Sequence, residues 1–402
     1  MARKLKPVRE VELENKNVKL RIVLLVICLT IAFFCIGVGV STLVTKQTGW
    51  QKVEISANET NCSEDFTLQY CFGQGELSAT EEYRGVSLLY SQACQQAYKS
   101  FYSDGDLKRI NAAPNESVTV SQPLYRALEQ VEQYGSRYLY LAPVYVEYNR
   151  VFLCENEVEA SLYDPAADPE QQQWLAQLAA YGNDPQSVRV ELLGDNKVKL
   201  VISQAYLAFA QEYEITEFLD FGWLRNAFIA DYIADELVTA GYDRGYIASY
   251  DGFTRNLDPG SYTQNLFHRQ GNDIYLPATV SYSGPAAVVY LRSYPMSAAD
   301  RWHYFTFSDG HVVSAMVDPA DGANKNALSE MIAYGQEKGC AEIALQLAPV
   351  FIADTLDRQK LMTLADNGIH SVFVEDQIIF RTQQTLTVTV TESDYKVSNL
   401  TP

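Results

Sequence analysis

Histidine is scarce in this chain, and its cysteines do not cluster. The four histidines are scattered over 402 residues, and none lies at metal-ligand spacing from another. They are His268, His303, His311 and His370. The seven cysteines include no CxxC pair, so neither a zinc site nor a dense disulfide framework is expected. Cys62 and Cys71 could form one bridge, whereas Cys94 and Cys340 lie in apolar segments and are expected to be core thiols.

Net positive charge is lacking as well. The chain holds 31 Lys and Arg residues against 50 Asp and Glu residues, a formal net charge of −19. Seven of the basic residues lie within residues 1–45, against three acidic ones, so the rest of the chain is more acidic still. A negative field of this size repels nucleic acid, and no nucleic-acid partner is expected. Solubility of a secreted surface is the ordinary reason for such acidity.

One long apolar run is present near the N-terminus. Residues 22–44 carry no charge, and at ~1.5 Å per residue they span roughly the ~30 Å hydrocarbon core of a bilayer. The basic residues before the run favour a cytoplasmic N-terminus and an extracytoplasmic main domain. The run is long for a signal peptide, and no small-x-small cleavage site follows it. Bulky residues precede Cys28 and Cys35, which disfavours a lipoprotein signal. We therefore predict an uncleaved single-pass anchor in the cell membrane.

The composition along the chain predicts five segments. These are a cytoplasmic basic arm (1–21), a transmembrane anchor (22–44), a polar stalk with little regular structure (45–80), one globular domain (81–383) and a flexible tail (384–402). Within the domain, the patterns predict a hairpin over 188–203, a strand over 137–152, helices over 326–338 and 352–367, and a strand over 341–347. Strands and helices without strict βα alternation indicate the α+β class.

The most informative segment runs from residue 218 to residue 252. It predicts a strand ending at Asp220, a tight turn at Gly222, an amphipathic helix that stops at Gly241, and a strand that leads into Asp251 and Gly252. A loop that opens a helix points backbone N–H groups and the positive end of the helix dipole at a bound anion. The segment therefore predicts a phosphate site.

The same order of elements resembles the ApbE-type FAD:protein FMN transferases. In that family a strand ends in LDLGGIAKG, and the corresponding residues here read LDFGWLRNA. Three further fragments resemble family motifs in the same order: DLKRINAAP followed by VSQPLYRALEQ, MVDPADG at 316–322, and APVFIADTLDR at 348–358. The resemblance covers about residues 88–381 and implies one mixed ApbE-like, T-fold-like domain.

The resemblance also implies ligands and a partner. Family members bind FAD and Mg²⁺ and transfer FMN to a threonine of a partner protein, here an extracytoplasmic redox flavoprotein. The metal-binding aspartate of the family falls on Asp354. The positions that would bind the flavin cofactor are Asn111, Asp220, Gly222, Asp231, Gly252, Ser297, Asp318 and Gly322.

Several family positions are altered in ways that disfavour catalysis. The companion threonine of the metal site falls on Arg358, whose guanidinium cannot ligate a cation and is expected to pair with Asp354. The proposed histidine base falls on Ala315, and the loop lysine falls on Asn226. These substitutions predict a degenerate flavin-transferase homologue that binds flavin or another ligand, or acts as a scaffold.

Two alternatives remain open at the level of sequence. A divergent but active transferase is one, because Asp220, Asp231, Asp318 and Asp354 are present and carboxylates bind Mg²⁺ in varied geometry. A surface binding module unrelated to flavin is the other, since the chain is rich in tyrosine and aromatic faces recognise many ligands.

Overall fold

The computed structural model describes residues 19, 22–32, 48–55, 61–102 and 104–401. Within them the chain divides into two compact units. One comprises residues up to 49 together with 72–83, and the other comprises residues 50–71 and those from 84 onward.

The described part of the predicted anchor is helical. Residues 22–32 form a helix (α1) with exposed apolar side chains. Among the described residues, no helix combines the length and the apolar character needed to cross a bilayer. Residues 33–44 of the predicted anchor lie outside the described residues, as does the basic arm apart from residue 19. Membrane anchoring therefore stays a prediction.

Ten further helices are present in the described chain. They are α2 (Ala79–Phe101), α3 (Asp106–Ala112), α4 (Gln122–Gln133), α5 (Ala142–Phe152), α6 (Glu157–Ala160), α7 (Pro169–Asn183), α8 (Gln204–Glu212), α9 (Arg225–Thr239), α10 (Cys340–Phe351) and α11 (Arg358–Asp366).

The strands form one large sheet and three small ones. The strands are β1 (Gly49–Lys52), β2 (Phe66–Phe72), β3 (Ser117–Thr119), β4 (Val188–Gly194), β5 (Lys197–Ile202), β6 (Gly245–Ser249), β7 (Phe253–Asn256), β8 (Ser261–Gln270), β9 (Asp273–Ser283), β10 (Ala286–Arg292), β11 (Tyr304–Thr306), β12 (Val312–Ser314), β13 (Glu330–Gln336), β14 (His370–Glu375), β15 (Ile378–Arg381), β16 (Thr387–Val390) and β17 (Lys396–Asn399). The large sheet has the order β1-β2-β6-β7-β10-β13-β14-β15-β17. Its β15–β17 pair is parallel, whereas β6–β7, β7–β10, β10–β13 and β13–β14 are antiparallel.

Both faces of the large sheet are covered at its centre. All seven residues of β10 are buried. Val288 and Tyr290 belong to a core cluster with Leu266 and Val280 of the β8–β9 hairpin, whereas helices α9 and α10 pack on β7 and β10. A strand covered on both faces has no polar side, which explains its continuous apolar sequence.

Several local predictions are wrong, and burial is the main reason. Residues 330–336 form strand β13 and residues 340–351 form helix α10, the reverse of the expectation for 326–338 and 341–347. Both elements are buried almost throughout, and continuous apolar runs give no periodicity that separates helix from strand. Residues 142–152 form helix α5, in which Pro143 occupies the first turn and Tyr145 and Tyr148 share one buried face. The predicted helix over 352–367 begins only at Arg358.

The two ends of the domain are more ordered than predicted. Strand β2 pairs antiparallel with β6 of the large sheet, so the expectation of little regular structure over 45–80 is wrong there. Its strict alternation of buried and partly buried residues is typical of a strand. In the predicted tail, β16 pairs with β9, and β17 pairs with β15. Cys62 and Cys71 are both free thiols, whereas the predicted 188–203 hairpin is confirmed as β4–β5.

Candidate functional site

The segment that leads to Gly222 is held by side-chain bonds to its backbone. Residues 215–220 form no strand, so the predicted strand ending at Asp220 is wrong. Asn111 Oδ1 instead accepts from the N–H groups of Phe218 and Leu219, both at 3.0 Å, and its Nδ2 donates to the Leu219 carbonyl at 2.9 Å. Asn111 therefore positions the loop from α3 by replacing the bonds of a sheet.

The turn at Gly222 closes on itself. Its N–H donates to Asp220 Oδ1 at 2.5 Å, and the Leu224 N–H donates to the Phe221 carbonyl at 3.0 Å. Gly222 has φ +53°, and a Cβ there would lie 2.6 Å from the Tyr145 ring. The N–H groups of Gly222 and Leu224 are thus bonded within the loop instead of facing an anion, and an aromatic ring covers the glycine.

A cleft of about 430 Å³ lies beside this turn. Asp220, Gly222 and Ala315 all line it, so these three predicted positions come together. Asp318 and Asp354 are not among the described residues that line it. Eight of its eighteen lining residues carry an aromatic ring, and these are Tyr102, Tyr145, Tyr148, Phe152, Trp223, Tyr250, Trp302 and His303.

Arg225 is the cation of this cleft. Its guanidinium carbon lies 4.2 Å from the centre of the Tyr102 ring, and the Tyr102 hydroxyl donates to Asp65. Burial lowers the pKa of Arg225, but Tyr102, Asp220 and Asp65 outweigh it and leave the pKa raised. Burial also raises the pKa of Asp220, which Arg225 and the Gly222 N–H oppose. Arg225 therefore faces three carboxylates in the lining of the cleft, Asp65, Glu217 and Asp220, and its buried Nε has no partner among the described residues.

Asn226, at the position of the family's lysine, contacts another carboxyl group. Its Nδ2 donates to Asp251 Oδ2 at 3.0 Å. Burial raises the pKa of Asp251 to about 6, and its Oδ1 has no partner among the described residues. Gly252 follows with φ +108°, and a Cβ there would lie 2.4 Å from the Tyr290 carbonyl oxygen. Gly252 thus allows close packing on β10.

The Asp231 side chain, from helix α9, caps the N-terminus of helix α10. Its Oδ1 accepts from the Cys340 N–H at 2.7 Å, and its Oδ2 accepts from the Ala341 N–H at 2.9 Å. Arg255 donates to the same Oδ1 at 2.7 Å. A carboxylate at a helix N-terminus satisfies free N–H groups and complements the helix dipole. The structure therefore places Asp231 as a buried link between α9 and α10.

The position of the family's histidine base carries no ionisable group, but a histidine lies close to it. The Ala315 N–H donates to the His303 carbonyl at 2.9 Å, and both residues line the cleft. Burial lowers the pKa of His303 to about 4, so the ring is neutral near neutral pH. His303 belongs to no motif, and the sequence gives no signal for it. Ser297 lies nearby in the chain, where its N–H donates to Asp300 Oδ2 at 2.9 Å.

The Asp-Pro turn holds an ammonium group. Lys325 Nζ lies 2.9 Å from Asp318 Oδ2, 2.7 Å from Asp321 Oδ2 and 3.8 Å from Asp354 Oδ2. Gly322 has φ +71°, and its carbonyl accepts from the Tyr148 hydroxyl at 3.0 Å. This turn therefore joins the predicted metal aspartate to a lysine that the motifs do not include.

Arg358 does not pair with Asp354, so that expectation is wrong. Its guanidinium bonds to Glu375 and lies 4.8 Å from the centre of the Phe380 ring. Asp357 caps α11 by accepting from the Lys360 N–H at 2.8 Å. Arg358 thus occupies the first turn of α11, from which its side chain reaches β14 and β15.

These residues do not fit the ligands that the resemblance implies. In the described chain, no group of three or more His, Cys, Asp or Glu side chains is arranged to hold a metal ion. The carboxylates of the Asp-Pro turn face an ammonium group instead, and an arginine replaces the threonine ligand. A pyrophosphate does not fit at Gly222 either, because Asp220 already accepts its N–H. An aromatic ring suits the cleft better than a phosphate does.

The fold is that of the ApbE-type flavin transferases. The structure is similar to an ApbE protein from Thermotoga maritima, with a TM-score of 0.55 and 12% identity over 86% of this chain and 97% of the other. It is also similar to the flavin transferase ApbE from Vibrio cholerae, with a TM-score of 0.53 and 12% identity over 87% and 99% of the two chains. The apo flavinyl transferase ApbE from Pseudomonas stutzeri gives a TM-score of 0.50 and 14% identity over 86% and 95%.

At the level of sequence, neither a family model nor a curated protein matches the chain. The structural similarity therefore confirms the predicted α+β, ApbE-like fold, and identities of 12–14% show the fold alone.

Proposed function

We propose that this protein is a membrane-anchored, extracytoplasmic ApbE-like protein that does not transfer FMN. It would bind an aromatic ligand or act as a scaffold beside extracytoplasmic redox flavoproteins. Transfer of FMN requires attack on a pyrophosphate, for which a metal ion and a positioned base stabilise the developing charge. The altered positions remove both requirements together.

The closed turn at Gly222 carries this proposal. A pyrophosphate needs free N–H donors, and the Gly222 N–H is bonded to Asp220 at 2.5 Å. Asp220 is itself half-buried and would repel a phosphate. At the position of the family's histidine base, Ala315 contributes only a methyl group to the wall of the cleft. Each loss of a catalytic contact of this kind typically costs ~2–4 kcal/mol of transition-state stabilisation.

The test of catalysis is direct transfer. We expect that the full chain in detergent, incubated with FAD, Mg²⁺ and a threonine acceptor peptide, leaves the peptide without flavin. The flavin transferase ApbE from Vibrio cholerae, assayed in parallel, is the positive control. Mass-spectrometric detection of FMN on the peptide in a Mg²⁺-dependent reaction would show that the divergent-transferase alternative is right.

The nature of the ligand is tested by comparing flavins of different charge. If the cleft accepts a ring but no phosphate, riboflavin fluorescence should be quenched, and riboflavin should bind at least as tightly as FMN or FAD. Tighter binding of FAD than of riboflavin would contradict the closed turn. An equal lack of binding for all three would favour the second candidate, a binding module unrelated to flavin. That candidate is supported by one observation, that Asp318 and Asp354 do not line the cleft of Gly222 in the described structure.

The proposed location has its own test. A C-terminal tag on the full chain should be accessible to protease added outside intact spheroplasts, and the chain should remain in the membrane after carbonate extraction. A protected tag or a chain released by carbonate would contradict the anchored, extracytoplasmic arrangement.

A further inference from the structure

Lys325 lies inside a ring of carboxylates that the Asp-Pro turn builds. The Asp318 and Asp321 side chains each use one oxygen for the turn and the other for the lysine. Asp318 Oδ1 accepts from the Ala320 N–H at 2.9 Å, and Asp321 Oδ1 accepts from the Ala323 N–H at 3.0 Å. Their Oδ2 atoms lie 2.9 Å and 2.7 Å from Lys325 Nζ. The carboxylates are therefore oriented by the backbone before the ammonium group binds them.

The contacts differ in strength. The Lys325 and Asp318 side chains are 19% and 21% exposed, so their charge–charge attraction is only partly screened. The Asp354 side chain is 81% exposed and 3.8 Å away, which makes its contribution small.

We propose that the ammonium group of Lys325 takes the place of a divalent cation at the Asp318–Asp321–Asp354 cluster. The protein then carries its cation covalently and binds no Mg²⁺ or Ca²⁺ there. A divalent cation at this cluster would have to compete with the Lys325 ammonium group for the same carboxylate oxygens. Because the lysine belongs to the chain, it neutralises the carboxylates without an ion from solution. This inference concerns cation binding and stands whether or not the cleft binds flavin.

Removal of the ammonium group should convert the cluster into a divalent-cation site. As they stand, the carboxylates form no group of three arranged to hold a metal ion among the described residues. Without Lys325, the Asp318 and Asp321 carboxylates lose their neutralising charge, and carboxylate oxygens are the ligands that Mg²⁺ and Ca²⁺ prefer. The exposed Asp354 side chain is free to turn toward the ion. The lysine stem packs against its surroundings, so Lys325→Met removes the charge while it keeps most of the stem.

The experiment titrates Mg²⁺ and Ca²⁺ into the full chain in detergent, with calorimetry and thermal unfolding as readouts. The wild type should show no binding and an unfolding temperature independent of either ion. Lys325→Met should unfold at a lower temperature in EDTA and recover when either ion is added. It should bind the ion with a Kd about tenfold or more below the highest concentration at which the wild type shows no binding. If Lys325→Met does not fold in EDTA, its folding on addition of Ca²⁺ gives the same support.

Two further variants identify which residues are responsible for the gained binding. Lys325→Met with Asp354→Asn should lose most of the gained binding, and Arg358→Thr alone should gain none. Wild-type binding of one Mg²⁺ that Asp354→Asn abolishes would overturn the inference. So would a Lys325→Met protein that neither binds nor is stabilised by any divalent ion. None of these readouts requires flavin transfer, so the inference and the proposed function fail separately.

Discussion

The turn at Gly222 and the turn at Asp318 each contain an aspartate carboxylate, but different groups lie beside it. In the first, the half-buried Asp220 carboxylate accepts from a backbone N–H, and the nearby Arg225 only opposes the rise in its pKa that burial causes. In the second, Asp318 and Asp321 are neutralised by a lysine side chain closer to solvent. In both turns an aspartate oxygen accepts from a backbone N–H of the same turn. A preserved frame therefore does not imply a preserved site.

The largest effect is expected from a substitution that disturbs the packing of the Gly222 turn. Gly222→Ala places a Cβ 2.6 Å from the Tyr145 ring in a left-handed conformation, and we expect a loss of about 3 kcal/mol in the free energy of unfolding. Gly241→Ala is the matched control, because Gly241 has φ +84° but a Cβ added there would have no atom within 4 Å. Chemical denaturation of both variants measures the difference. Equal losses would show that Tyr145 does not close the turn.

A second test uses the buried charge beside the cleft. Because burial raises the pKa of Asp251 to about 6, its ionised form destabilises the folded state. Asp251→Asn should raise the free energy of unfolding by about 2 kcal/mol near neutral pH. The folded-state pKa lies above the ordinary value of 3.8, so the gain should be complete above pH 6 and vanish as the pH falls toward 3.8. Urea denaturation across that range measures it, and a gain that does not change with pH would contradict the assignment.

The smallest effect is expected at Arg358, which sharpens the contrast between the two turns. Its pair with Glu375 is partly exposed, with side-chain exposures of 40% and 37%, and is therefore weak. Arg358→Thr restores the family's residue type and should cost only about 1 kcal/mol in unfolding free energy, including the contact with Phe380. Thermal unfolding with and without Mg²⁺ should give the same difference from the wild type. Stabilisation by Mg²⁺ would show that Arg358, and not Lys325, excludes the metal.

Much of the frame was predictable from the sequence, because four motif fragments occur in the family's order. The segment from Gly222 through α9 to β6 follows from turn, helix and stop signals that act locally. The swap of helix and strand over residues 330–351 was not predictable by periodicity, since β13 and α10 are buried on nearly every side. The strand β2 was visible in its alternation but was outweighed by the polar residues around it.

The candidate site was predictable only in part. Asp220, Gly222 and Ala315 line one cleft, whereas Asp318 and Asp354, which belong to the same predicted flavin and metal site, are not among its described lining residues. The sequence assigned the positive charge near Asp354 to Arg358, because the two share a helical spacing, whereas the structure places Lys325 there. Lys325 follows the MVDPADG motif by three residues, and its i, i+4 spacing from Asp321 was the available signal. Which of two cations reaches a carboxylate depends on tertiary contacts, and His303 was missed for the same reason.

The most direct test of this account is a crystal structure of the protein grown with Mg²⁺ and FAD. The account predicts Lys325 Nζ between Asp318 and Asp321, no metal density beside Asp354, and no phosphate at the Gly222 N–H. A metal ion coordinated by Asp354, with Lys325 turned away and a pyrophosphate on the Gly222 turn, would contradict it.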